Sequence, residues 1–135
     1  MPDKTTGRRK SRREAAFALY QQDLLDRDAE SAVSRLSAET LPGQADPYGR
    51  RLVQGVLDHR EEIDALLSAH LEGWTLARLA PLERNILRLA TYELEWVPDV
   101  PPAVAMSEAV MLTKRYCSDE AARLVNGVLG ALAAR

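Results

Sequence analysis

The chain has 135 residues, 46% hydrophobic and 28% charged, with a net charge of −2, a balance that fits one domain able to bury roughly two-thirds of its unfolded surface. Its single cysteine, Cys117, excludes an internal disulfide and a cysteine-based zinc site, and His59 and His70 are too few and too isolated to suggest a metal cluster. With neither a signal peptide nor a run of about 18 apolar residues, the expectation is a cytoplasmic protein without a membrane span.

The charge is unevenly placed. Lys4, Arg8, Arg9, Lys10, Arg12 and Arg13 face only Asp3 within residues 1–13, a balance of +5 that leaves −7 on residues 14–135. A basic segment on an acidic body suggests a localised polyanion site. Residues 1–10 are expected to form a flexible basic arm, followed by one helical domain over residues 11–135. Ser11 and Glu14 have the spacing of a capping box, which predicts a first helix from about Ser11 to Leu25, with Arg12 and Arg13 in its first turn. Ala16, Phe17, Leu19, Tyr20 and Leu24 give that helix a broad apolar face.

Asp28 can cap a short second helix carrying Val33 and Leu36, which fades before Leu41-Pro42-Gly43. Asp46-Pro47 reads as a cap followed by a first-turn proline. From Tyr48 the stripe Leu52, Val53, Val56, Leu57, Ile63, Leu66, Leu67 and Leu71 keeps helical phase, and the charged interval Asp58 to Glu62 predicts a kink or short break within it. Gly73 ends this segment, and Thr75 can cap a short turn through Leu76 and Leu79. Pro81 suits the first turn of a further helix, in which Leu82, Ile86, Leu89, Ala90 and Leu94 recur at intervals of three and four. Glu93 stands beside that stripe and requires a partner. The prolines of Trp96 to Pro102 exclude helix there, and Pro102 restarts one carrying Val104, Ala105, Ala109, Leu112 and Tyr116. Ser118 caps the last helix, whose buried stripe is Ala121, Val125, Val128, Leu129 and Leu132; Gly127 in its middle predicts a close helix contact. The pattern is all-α, with no strand signal and no internal repeat.

Three motifs carry a family resemblance. Leu76 and Arg78-Leu79 precede Glu83-Arg84, Ile86 to Ala90 and Tyr92-Glu93-Leu94; Val100 to Ala105 leads into Glu108-Ala109-Val110 and Lys114-Arg115-Tyr116; and Val125 to Leu129 reads VNGVL. In this order they resemble the NusB family, whose members are all-helical, RNA-binding transcription antitermination factors. The resemblance implies a compact bundle of about seven helices in two subdomains. Three positions depart from the family pattern. Ser107 replaces a usual Asn, Cys117 a usual Gly and Leu124 a usual aromatic residue. A left-handed cap kept at Cys117 would cost about 1 kcal/mol.

The basic cluster Arg8, Arg9, Lys10, Arg12 and Arg13 is suited to neutralising phosphates, which supplies affinity without base specificity. Tyr20, on the same helix, is the nearest aromatic candidate for stacking a base, and equally fits as a core tyrosine. Lys114 and Arg115 are candidate flanking phosphate contacts. The resemblance implies that Glu120, Arg123 and Leu124 also face RNA, and that Glu83, Arg84, Arg88 and Glu95 form a face for NusE, a small ribosomal protein. It further implies boxA-containing single-stranded RNA of ribosomal leader transcripts as ligand and an antitermination complex on RNA polymerase as destination. Phosphate-binding glycine loops, a G-x-S-x-G turn and an HExxH helix are absent, so no catalytic residue, metal or cofactor is expected. Two other jobs suit the same pattern: a helical protein-interaction module without RNA function, and an RNA-binding module like the appendage of some ribosomal RNA methyltransferases. A homodimer is compatible with either.

Overall fold

The computed structural model describes residues 4–25 and 47–135. Among them are α1 (Lys4–Leu25), α2 (Pro47–Asp58), α3 (Arg60–His70), a 3-10 turn (Leu76–Arg78), α4 (Pro81–Trp96), α5 (Pro102–Tyr116) and α6 (Asp119–Ala133). The expected Asp28 helix and the Asp46 cap lie outside the described residues.

Helix α4 is the axis of the fold. Its spacing predicts one buried stripe, yet every residue from Asn85 to Glu93 is buried, because α1, α2, α3, α5 and α6 all pack against it. A helix enclosed on all sides must bury its polar residues too. Arg88 and Glu93 are accordingly interior, and the ionic partners described below come from other helices. Leu19, Leu52, Ile63, Leu67, Ile86, Leu87 and Leu129 are essentially inaccessible around it.

Most boundaries follow from local chemistry. Pro47, Pro81 and Pro102 open their helices, where a missing N–H costs nothing. The break expected between Asp58 and Glu62 falls at His59. Gly73, at φ 75°, turns the chain after α3. Ser118 Oγ accepts a hydrogen bond from the Ala121 N–H at 3.0 Å, with Asp119 and Glu120 in the first turn, so the last helix begins as read. Trp96 ends α4 rather than joining the proline segment. The short turn at Leu76 forms without the Thr75 side chain; the Thr75 carbonyl accepts from the Arg78 N–H instead.

Three expectations are corrected. Helix α1 reaches back to Lys4, so Arg8, Arg9 and Lys10 stand on a helix and Ser11 is a buried mid-helix residue rather than a cap. Ion pairs from this segment to Asp99, Glu93 and Glu108 hold those turns against the body. Gly127 meets nothing within 4 Å and makes no close helix contact. The close approach is at Gly55, where a Cβ would lie 2.2 Å from the Tyr92 ring, so any larger residue there would have to displace that ring. At Cys117, φ is −123°; the α5 terminus avoids the left-handed region, and the residue costs no strain of that kind.

Among the described residues no helix is long and apolar enough to cross a membrane, and no group of three His, Cys, Asp or Glu is placed to hold a metal ion.

Candidate nucleic-acid interface

The basic residues of α1 divide into those that hold the fold and those that face out. Arg12 belongs to the first group. It is 1% exposed, and its Nε donates to both Glu93 oxygens at 2.9 and 3.0 Å. The Tyr48 hydroxyl donates to the same carboxylate, and Glu108 lies 3.5 Å from Arg12 Nη1. Burial alone would lower the Arg12 pKa, but the hydrogen bond and charge of Glu93 outweigh it and hold the guanidinium above its ordinary value. Burial, followed by the Glu93 hydrogen bond and charge, pushes the Tyr48 phenol well above its usual range. The expectation of a phosphate contact at Arg12 is therefore corrected: it is the buried partner that Glu93 requires.

Arg8 is largely committed as well. It donates to Asp99 at 3.2 Å, and its guanidinium lies 4.0 Å from the centroid of the Tyr48 ring. Arg9 is anchored at its Nε by both Glu108 oxygens at 3.2 Å, yet its side chain is 54% exposed. Lys10 is 71% exposed, with Glu14 no nearer than 3.9 Å. Arg13 converges with Arg9 and Arg115 on a small groove of about 110 Å³ whose floor includes Met111, Leu112 and Tyr116. Tyr116 is held edge-on by Phe17, with centroids 5.0 Å apart, and Arg115 lies over its ring at 5.5 Å. This groove joins cations to an aromatic ring, the combination that single-stranded nucleic acid requires. Tyr20 is half-buried on α1 and lies outside it.

The carboxyl-terminal residues fall on two sides of α6. Lys114 and Arg123 are exposed and share a groove of about 470 Å³ with Val110, Asp119, Ala122 and Asn126. Glu120 and Leu124 face a different cavity of about 300 Å³, with Trp74, Arg78, Leu79, Ala80, Glu83, Ser118 and Ala121 as its other walls. Within it, burial and the charge of Glu120 raise the Glu83 pKa. Burial and the charge of Glu83 likewise push up the Cys117 thiol, which makes it a poor nucleophile.

The four residues expected to form one partner face do not do so. Arg88 is 4% exposed; it donates to Asp64 at 2.8 and 3.0 Å and to Asp23 at 3.3 Å. Arg84 donates to Asp23 at 2.9 Å and to the carbonyls of Leu76, Ala77 and Leu79. It thereby ties the 3-10 turn to α4. Burial would raise the Asp23 pKa, but hydrogen bonds from Asn85 and Arg84 outweigh it and lower the value. Glu83 faces the cavity, and Glu95 pairs with Arg135. Both arginines are thus internal clamps, which corrects the expectation that they present a partner face.

Spacing contained one signal for Arg12, which stands three, four and seven residues before Ala15, Ala16 and Leu19, on the apolar side of α1. Trp74 carried no such signal, because it lies in an irregular stretch.

The sequence profile of the NusB family matches residues 9–134. The transcription antitermination protein NusB of Saccharopolyspora erythraea is 48% identical over 128 residues, covering 93% of this chain and 86% of its own. NusB of T. maritima superposes with a TM-score of 0.84 at 37% identity, over 95% of this chain and 91% of that one. A structure of antitermination factors NusB and NusE in complex with double-stranded RNA matches with a TM-score of 0.82 at 31% identity, over 94% of this chain and 96% of that one.

Proposed function

This chain belongs to the NusB family of transcription antitermination proteins, and on that premise we propose that it binds the boxA element of nascent ribosomal leader RNA jointly with NusE, within an antitermination complex on RNA polymerase. The observation that carries the reading is the split of the α1 cations. Arg12 is locked inward on Glu93 while Arg9 and Arg13 project from the same helix beside Arg115 and Lys10 is exposed on it. The inward residue fixes the helix, and the outward ones present positive charge at set positions on an otherwise acidic body.

Phosphate contacts of this kind orient the strand without reading it. Lys114 and Arg123 extend the positive surface across α5 and α6, and Glu120 and Leu124 lie where bases rather than phosphates would be favoured. A relative solved with both NusE and RNA supports a joint complex. The family is non-enzymatic, and the role is one of assembly.

Fluorescence anisotropy with a boxA strand and a scrambled strand of equal length tests the reading. A preference for boxA of at least about tenfold is expected, since two mismatched contacts of modest strength supply that much. Equal, weak binding of both strands would leave the shared fold without the shared ligand.

A further inference from the structure

Four charged side chains form one line from the axis of the fold to its surface. Glu93 on α4 accepts from Arg12 Nε at 2.9 and 3.0 Å, Arg12 Nη1 reaches Glu108 on α5 at 3.5 Å, and Glu108 accepts from Arg9 Nε with both oxygens at 3.2 Å. Side-chain exposure along this line is 1%, 2%, 4% and then 54%. Three members are therefore fixed by the packing around them, and only Arg9 meets solvent. Its neighbour Lys10 is exposed and has Glu14 no nearer than 3.9 Å, so that ammonium is a point charge on a free stem. Of the two, Arg9 alone is held in direction as well as in place.

A guanidinium anchored through Nε still has Nη1 and Nη2, a parallel pair of donors matched to two phosphate oxygens. Among the described residues Arg9 makes no hydrogen bond except through Nε. Fixing that group in advance removes the side-chain ordering that phosphate binding would otherwise require. Folding gains little from the arrangement, because a half-exposed ion pair contributes little to stability. We propose that Glu108 is a positioning residue for RNA: it orients Arg9 so that the free edge of the guanidinium grips one particular phosphate and sets the register of the strand. Lys10, Arg13 and Arg115 supply attraction that any phosphate satisfies. The proposal rests on the RNA-binding reading and deepens it. It also opposes simple charge counting. Removing a negative carboxylate should by charge alone strengthen phosphate binding, whereas loss of the anchor weakens it.

The test uses the full chain and a set of boxA strands in which each phosphate in turn is replaced by a neutral methylphosphonate. For the parent one linkage should stand out, its neutralisation weakening binding at least about 20-fold, against the roughly fivefold that one unoriented single-strand contact supplies at 0.1 M salt. Arg9→Lys keeps the charge and loses the paired donors, so it should bring that linkage down to the level of the others while the salt slope stays unchanged. Glu108→Gln should level the same linkage and bind the unmodified strand at least about fourfold more weakly than the parent, the ratio of an oriented to an unoriented contact. Arg12 keeps both Glu93 oxygens in that variant. Where Arg9 is already glutamine, Glu108→Gln should cost no further affinity. A linkage that still stands out in either single variant overturns the proposal, as does tighter RNA binding by Glu108→Gln. An equal loss from Glu108→Gln with and without Arg9 overturns it too, since a merely structural role would give that result. Should Glu108→Gln fail to fold, the Arg9→Lys profile decides alone. If the parent prefers boxA but no linkage stands out, positioning is refuted and the boxA reading stands; if the parent prefers neither strand, both fall together.

Discussion

Arg12→Ala is expected to cost about 3–5 kcal/mol of folding stability, a fall in thermal midpoint of roughly 10–20 °C for a domain of this size. The reason is what it leaves behind. Glu93 is 1% exposed, and without Arg12 its carboxylate keeps, among the described residues, only the Tyr48 hydroxyl. An uncompensated buried charge costs far more than the loss of a surface pair. Glu108 suffers less, because Arg9 still donates to it at 3.2 Å. Two further variants separate this account from generic fragility. Arg9→Ala removes a half-exposed partner and should cost about 1 kcal/mol or less. Replacing the whole network by apolar residues, with Arg12→Met, Tyr48→Phe and Glu93→Leu together, should recover most of the stability lost in Arg12→Ala. Denaturant melts of the four proteins settle the point, and a loss below about 1 kcal/mol in Arg12→Ala would remove the network from the account of the fold.

The second large effect falls on RNA binding and leaves the fold nearly unchanged. Among the described side chains of α1, Arg9, Lys10 and Arg13 are the cations that face outward, so replacing all three by glutamine should make the slope of log affinity against log salt shallower by about 2, at roughly 0.7 per single-strand phosphate contact. At 0.1 M salt that corresponds to a loss of roughly 100-fold. The thermal midpoint should move by only a few degrees, since Arg12 and Arg8 keep their partners Glu93 and Asp99. An unchanged slope would place the phosphate contacts elsewhere.

The contrast between these variants shows what the sequence could and could not convey. Helix positions were legible wherever a local rule decided them. Pro81 and Pro102 opened helices, Ser118 capped one, and the charged interval around His59 broke another. Arginine and glutamate on a helix read as solvated by default, because their burial depends on a partner supplied by a distant segment. Arg12 meets Glu93 across 81 residues of sequence and Arg9 meets Glu108 across 99. Neither pairing leaves a periodic trace, so phosphate contact at Arg12 and a partner face at Arg84 and Arg88 were reasonable readings that tertiary pairing overrode. Glu93 was the exception: its position beside Ile86 and Leu89 already required a partner. The same long-range pairing moved the start of α1 from Ser11 to Lys4, since a capping signal worth about 1 kcal/mol yields to ion pairs that fasten the preceding turns. The family motifs conveyed the region around Glu120 and Leu124, but the meeting of Trp74 with both exists only once the 3-10 turn is folded against α6.

The measurement that bears most directly on the proposed function is the affinity of this chain for a boxA strand in the absence and presence of saturating NusE. A scrambled strand and a boxA duplex of equal length serve as competitors. If the two proteins share one RNA-bearing surface, NusE should tighten boxA binding by about 5- to 150-fold, the usual range of coupling between linked sites, and RNA should tighten the protein pair by the same factor. An affinity for boxA that NusE leaves unchanged would contradict the joint surface.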